Sequence, residues 1–268
     1  MGRIEATFAR LQQKGETALI PFITAGDPDL GATEELIHAL VEAGADLIEL
    51  GFPFSDPMAD GPTIQASSER ALASGTTLEG ILATVRRVRL HTNIPIVLMG
   101  YYNPILHYGP GRFAEEAATA GVDGLLLVDL PPEEAGEITS FLRSAGIDLI
   151  TLLAPTTPAS RAARLAAEAE GFLYYVSMTG VTGAAQVDAA AIEEMVLSLK
   201  AESAVPVAVG FGISTPTDAA AVGRFADAVV VGSALVKVVA AHGKTPELLP
   251  QVKRFVRALK GGLRGEEQ

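Results

Sequence analysis

The apolar positions fall into two alternating patterns. Residues 3–14 place apolar side chains at helical spacing, and the continuous apolar run near Ala18–Thr24 then ends in Ala25-Gly26-Asp27-Pro28, a turn signal. A helical pattern over about 32–43 stops at Gly44 and feeds a second apolar run from Asp46. The join reads Ala43-Gly44-Ala45-Asp46, and it returns as Ala120-Gly121-Val122-Asp123 and Ala145-Gly146-Ile147-Asp148. Each is a helix closed by a glycine cap that leads into a strand apolar on both faces, as in a buried parallel sheet. Strand starts fall near Ala18, Asp46, Pro95, Val122, Ile147, Gly171, Val205 and Asp227, with helical patterns between them.

Eight strands, each followed by a helix, predict an α/β fold of the (β/α)8 TIM barrel type, which runs to about 250 residues. The 268 residues then form a single domain with an extra N-terminal helix. No Pro/Ser-rich linker, charge block or low-complexity segment divides the chain, and only 261–268 reads as a loose tail. The intervals after the second and sixth strands are longer than the others. Extra length in a βα unit goes into the loops that form the active site in this fold, so these two are expected to supply a catalytic loop and a lid.

Composition narrows the chemistry. The net charge of -12 opposes binding to phosphate backbones or anionic membranes, so no nucleic acid or membrane partner is expected. Without cysteine there is no disulfide, thiol nucleophile or thiolate-bound metal, and His38, His91, His107 and His242 lack ligand spacing, so no metal is expected. The N-terminus lacks a signal-peptide core, and Ala6 stands where a myristoylation signal wants Ser or Thr. The apolar stretch Ala226–Ala241 is too short to span a membrane and is interrupted by Asp227 and Lys237. A cytoplasmic location is expected.

Glu49 interrupts the second apolar strand, and Asp60 lies on the loop that follows. Burying an ionised carboxylate costs several kcal/mol or raises its pKa, so its presence calls for a reason. Two readings are open: a structural ion pair, weakened because Lys14, Lys200, Lys253 and Lys260 fall in helical segments, or a catalytic carboxylate. Both acids belong to the face where barrel enzymes keep their sites, and two carboxylates in different environments can divide proton work. Asp27 and Asp129 compete for these roles, but each lies beside proline, where turn or cap chemistry is the better reading. Glycine-rich turns follow the last three strands: Thr179-Gly180-Val181-Thr182-Gly183, Gly210-Phe211-Gly212-Ile213-Ser214 and Gly232-Ser233. With a helix starting after Ser233, they form a candidate phosphate site built mainly from backbone N–H groups. No strand carries a lysine for a Schiff base, and Lys237 reads as a packing or exposed helix residue. Carboxylate acid–base catalysis on a phosphorylated small molecule remains.

Four segments carry a resemblance. Pro21–Pro28, the run Glu49-Leu50-Gly51-Phe52-Pro53-Phe54-Ser55-Asp56-Pro57-Met58-Ala59-Asp60-Gly61-Pro62-Thr63-Ile64-Gln65, Gly180–Gly183 and Gly210–Ser214 together resemble the tryptophan synthase alpha chain family, in order and spacing, over about 15–260. The resemblance implies a lyase that cleaves indole-3-glycerol phosphate to indole and glyceraldehyde 3-phosphate by a retro-aldol reaction. Glu49 then matches the proton-shuttling carboxylate and Asp60 the one that holds the indole N–H. Phe22, Tyr101, Leu127, Tyr174 and Phe211 would line the indole pocket, although core packing competes for each. Gly183, Gly212, Gly232 and Ser233 would bind phosphate, and Thr182 would meet the catalytic loop when the lid closes. Met178 stands where relatives often carry Arg. The resemblance further implies an alpha2beta2 heterotetramer, with Pro53 and Asp56 at the interface, no cofactor in this chain, and pyridoxal phosphate in the beta chain. Two alternatives stay open: another phosphate-binding barrel enzyme, or a non-catalytic regulatory subunit.

Overall fold

The computed structural model describes residues 2–176, 189–210 and 212–266. Its parallel strands are β1 (Ala18–Thr24), β2 (Ile48–Gly51), β3 (Ile96–Gly100), β4 (Gly124–Leu127), β5 (Asp148–Leu149), β6 (Thr151–Leu153), β7 (Leu173–Val176), β8 (Val207–Gly210) and β9 (Ala228–Val231). They form one sheet in the order β5-β4-β3-β2-β1-β9-β8-β7-β6. Only Ile150 separates β5, which pairs with β4, from β6, which pairs with β7. The two are halves of one strand, so the nine segments make the expected eight-stranded barrel. Helices α2 (Leu30–Glu42), α3 (Pro62–Ala73), α4 (Leu78–Val88), α5 (Tyr102–Tyr108), α6 (Pro110–Ala120), α7 (Gly136–Ala145), α8 (Ala159–Glu168), α9 (Ala189–Glu202), α10 (Pro216–Gly223), α11 (Ser233–His242) and α12 (Leu248–Arg264) follow in chain order.

Both faces of each strand are covered, which is why the strands read as unbroken apolar runs. Along β1, Leu19 and Ile23 face the helices, whereas Ala18 and Ile20 join the barrel interior with Leu126, Ile150 and Tyr174. The expected N-terminal helix α1 (Arg3–Lys14) plugs the lower mouth of the barrel. It inserts Ile4, Phe8 and Leu11 into that interior, with the Phe8 and Phe172 ring centroids 5.9 Å apart. The long interval between β2 and β3 holds the additional helix α3. The interval after β7 includes 177–188, outside the described residues.

At the lower rim a charge device recurs on every second barrel strand. Asp46 accepts the Leu19 N–H at 2.9 Å, Asp123 the Ile96 N–H at 2.8 Å and Asp227 the Val207 N–H at 2.9 Å. Lys260, Arg89 and Lys200 neutralise them at 2.6, 2.6 and 2.7 Å. Glu170, salt-bridged to Arg143 at 2.7 Å, takes this place beside β5 with a longer 3.4 Å bond from the Leu149 N–H. Each carboxylate ties a backbone donor at the start of one strand to its neighbour, which accounts for the aspartate of the repeated joins. Asp148 departs from the pattern: it has no cationic partner among the described residues, and burial, with Glu170 next, pushes its carboxyl up to about 6.

The expected loose tail needs correction. Helix α12 continues through Gly261 and Gly262 to Arg264, with a left-handed cap at Gly265. Gly262 packs so closely on α10 that a Cβ there would lie 2.5 Å from the Pro216 carbonyl oxygen, and Leu263 packs against the core. These glycines permit helix contact rather than ending the helix.

Candidate active site

Alternation along β2 sends Ile48 and Leu50 toward the helices and Glu49 into the barrel, in register with Phe22 of β1 and Val97 of β3. The Glu49 side chain is buried at 2% exposure, and its Oε1 has no hydrogen-bond partner. Burial, reinforced by the charge of Asp60, pushes its carboxyl up to about 8. Among the described residues no cation lowers it, and none forms the ion pair that the alternative reading of Glu49 requires. An unpaired buried carboxyl is costly, and it is poised to release and accept a proton near neutral pH.

Asp60 reaches the same space from the loop between β2 and α3. Burial raises its pKa to about 6 against the opposing hydrogen bond from the Tyr101 hydroxyl. That hydroxyl also accepts the Ala59 N–H at 3.0 Å, and the Gln65 side-chain amide donates to the Asp60 carbonyl at 2.8 Å. Tyr101 and Gln65 thus fix the loop on both sides of the carboxylate. At pH 7 the two acids differ: Glu49 is mostly protonated and Asp60 mostly ionised.

Both line a cavity of about 480 Å3 at the C-terminal ends of the strands, with Phe22, Tyr174, Met99 and Val128 among its apolar walls. Gly212, Gly232 and Ser233 line its opposite side. Gly212 has φ of +78°, a conformation suited to glycine, and Ser233 opens α11. The N–H of Val236 is bonded to the Gly232 carbonyl, so the N–H groups of Ser233, Ala234 and Leu235 precede the first intrahelical bond. With the helix dipole they form an anion-binding end. A larger cleft of about 980 Å3 lies at the lower rim, but Asp123, Glu170 and Asp227 there already have their cations. Asp148 also lines it, half-buried and with its pKa raised to about 6, but at the end of the barrel opposite to Glu49 and Asp60.

Two of the expected pocket residues are placed differently. Leu127 faces the helices, because Gly124–Leu127 alternates and Leu126 is the inward residue; Val128, one step beyond, lines the cavity. Tyr101 is buried behind Asp60 in an adjoining crevice of about 20 Å3. Phe22 and Tyr174 both line the cavity. Thr182, Gly183, Phe211 and Met178 lie outside the described residues.

Asp27 is held by two bonds from Arg70 at 2.8 and 2.7 Å, an ion pair in place of the expected turn or cap role. Asp129 accepts the Tyr102 N–H at 2.8 Å at the start of α5, a cap as expected. Neither competes with Glu49. On the loop after β2, Pro53 is half-buried and Asp56 exposed, the latter bonded by the Ser55 hydroxyl at 2.5 Å. Met58 beside them is 85% exposed. Among the described residues, no group of three or more His, Asp or Glu could hold a metal ion, and no helix is long and apolar enough to cross a membrane.

Comparison with known proteins gives one consistent result. The family model described as tryptophan synthase alpha chain matches residues 8–263. Tryptophan synthase alpha chains of Citrifermentans bemidjiense and Geobacter sulfurreducens are each 58% identical, over 98% of this chain and 98% of the relative for the first and 97% and 98% for the second. Among solved structures, tryptophan synthase subunit alpha from Legionella pneumophila superposes with a TM-score of 0.91 at 41% identity, covering 99% of each chain. A chain of Mycobacterium tuberculosis tryptophan synthase gives 0.90 at 37% identity, covering 98% of each.

Proposed function

The chain belongs to the tryptophan synthase alpha chain family, and from that premise we propose that Glu49 and Asp60 carry its reaction. Members of the family are lyase subunits that cleave indole-3-glycerol phosphate to indole and glyceraldehyde 3-phosphate, and this is the activity of the chain. The family also implies a beta-chain partner.

The observation that carries the assignment is the partnerless Glu49 oxygen in a cavity shared with an ionised second acid. Glu49 begins protonated and delivers its proton to C3 of the indole ring, leaving positive charge on the ring. Asp60 accepts a hydrogen bond from the indole N–H and offsets that charge. The Glu49 carboxylate then removes the proton from the glycerol hydroxyl at the scissile carbon. As that carbonyl forms, the carbon–carbon electron pair returns to the ring, giving neutral indole and the aldehyde. One proton is given and one recovered, so Glu49 ends as it began. Phe22 and Tyr174 flank the indole. Gly212, Gly232 and Ser233 hold the phosphate with backbone N–H groups, and Gly183, Phe211 and Thr182 complete the site in this reading.

The partner reading follows from the same premise. Two alpha chains bind a central dimer of beta chains, which hold pyridoxal phosphate and condense indole with serine; this chain needs no cofactor of its own. The exposed Asp56 and half-buried Pro53, next to the loop that carries Asp60, are the coupling surface. A cytoplasmic location suits a soluble biosynthetic subunit. The deciding experiment measures indole released from indole-3-glycerol phosphate by the purified chain, alone and with its beta partner, for wild type and Glu49→Gln. Turnover should fall by about 10²–10⁴-fold in the variant. A rate within about three-fold of wild type removes Glu49 from the mechanism.

A further inference from the structure

The phosphate corner just described has a residue that no part of the preceding assignment uses. Lys237 lines the same cavity as Gly212, Gly232 and Ser233, and it is the one cation among the described residues that do so. It lies one turn into α11, four residues after Ser233. Residues four apart on a helix share one face, and helical side chains lean toward the N-terminus, so Lys237 stands on the Ser233 side of α11, on the wall of the same cavity. Lys200, Lys253 and Lys260 are engaged in ion pairs, whereas Lys237 has no ion pair or hydrogen bond with a described residue. It also contributes nothing to the environment of Glu49 or Asp60, whose acidities respond to burial, to each other's neighbourhood and to Tyr101. Its charge is therefore uncommitted at the far side of the cavity from the proton chemistry.

We propose that Lys237 is the counter-ion of the substrate's phosphate, the residue that makes this corner select a dianionic phosphoester over a neutral or singly charged substituent. The proposal rests on the phosphate reading of Gly212, Gly232 and Ser233. A protein of net charge -12, with two acids in the same cavity, sets up a field that opposes a dianion. Helix-terminal N–H groups supply direction and partial charge, and a full positive charge within the cavity offsets the remaining repulsion. The exposed position of Lys237 gives it no packing role to lose on substitution.

The experiment compares wild type, Lys237→Met and Lys237→Arg in cleavage of indole-3-glycerol phosphate, with glycerol 3-phosphate as competitor and indole binding measured separately. For Lys237→Met the competitor's inhibition constant and the substrate KM should rise about ten-fold, with kcat within about two-fold of wild type. Lys237→Arg should stay within about three-fold. Indole affinity and Tm should be unchanged in both, and raising salt should weaken the competitor more in wild type than in Lys237→Met. An unchanged inhibition constant in Lys237→Met overturns the assignment of Lys237, as does a fall confined to kcat. If glycerol 3-phosphate fails to compete in wild type, the phosphate site itself is wrong and the counter-ion falls with it.

Discussion

The raised pKa of Glu49 is a statement about stability as much as about catalysis. In the unfolded chain the carboxyl ionises near 4.5, and in the native protein near 8. Between those values the native state holds a proton that the unfolded state has released, so stability falls as pH rises, by about 1.4 kcal/mol per pH unit. Below 4.5 both states are protonated and the cost vanishes. Carried to pH 8, where the native group is half-titrated, the difference amounts to about 4 kcal/mol. Glu49→Gln keeps size and neutrality but cannot ionise, so it should abolish this pH-dependent loss. At pH 5 wild type and variant should unfold at similar temperatures. At pH 8 the variant should be the more stable, by roughly 10 °C for a chain of this size.

The assay is scanning calorimetry of both proteins at pH 5 and pH 8, reading the difference of the two differences. Any fixed effect of exchanging a carboxylic acid for an amide cancels in that comparison. The contribution of Asp60, which burial raises against the Tyr101 hydrogen bond, is common to both proteins except for its coupling to the Glu49 charge, which belongs to the effect being measured. Parallel pH profiles for the two proteins, with less than about 1 kcal/mol between them, would mean that Glu49 ionises normally in the fold and that the unpartnered oxygen is not a store of free energy.

Three further outcomes are expected. Asp60→Asn should remove most cleavage through kcat, because an amide cannot offset the charge that develops on the indole ring, and a loss confined to KM would make Asp60 a binding residue only. Tyr101→Phe removes the hydrogen bond that holds Asp60 down, so the Asp60 pKa should rise above about 6 and the acid limb of the kcat profile should move to higher pH, an unmoved limb counting against this role. Asp56→Ala should leave the intrinsic cleavage and the fold nearly unchanged while weakening activation by the beta chain, measured as indole release against beta concentration, and an unaltered activation curve would remove this loop from the coupling.

The barrel was legible because its strands are apolar on both faces and its helices end in glycine, two signals with direct physical causes. Glu49 was legible for the complementary reason, a charge standing where the pattern has no room for one. The same uniform apolarity hid the direction of side chains. In Gly124-Leu125-Leu126-Leu127-Val128 nothing distinguishes inward from outward positions, and a slip of one residue moves a side chain to the other face, so the strand pattern offers no check on the resemblance, which implies Leu127 for the pocket that Val128 lines. The segment 261–268 reads as a loose tail because local propensity carries no knowledge of α10, whose Pro216 Gly262 meets. Lys237 was hidden by its helical context, since only the turn of α11 brings it to the Ser233 side of the helix.

The two rims of the barrel treat charge in opposite ways, and the contrast explains why one end reacts. At the lower rim Asp46, Asp123 and Asp227 each accept a backbone N–H and a cation, which holds adjacent strands in register. At the upper rim Glu49 has neither among the described residues, although it is more deeply buried than any of these three. A carboxylate satisfied in the lower-rim manner would be held ionised and could not return a proton to carbon near neutral pH. The strands and helices below it are therefore what permit the exception, since the stability lost at Glu49 must be offset by groups that take no part in the chemistry. Weakening a lower-rim pair should then lower stability without moving the pH profile of catalysis, whereas any change that gives Glu49 a cation should raise stability at pH 8 and silence the enzyme together.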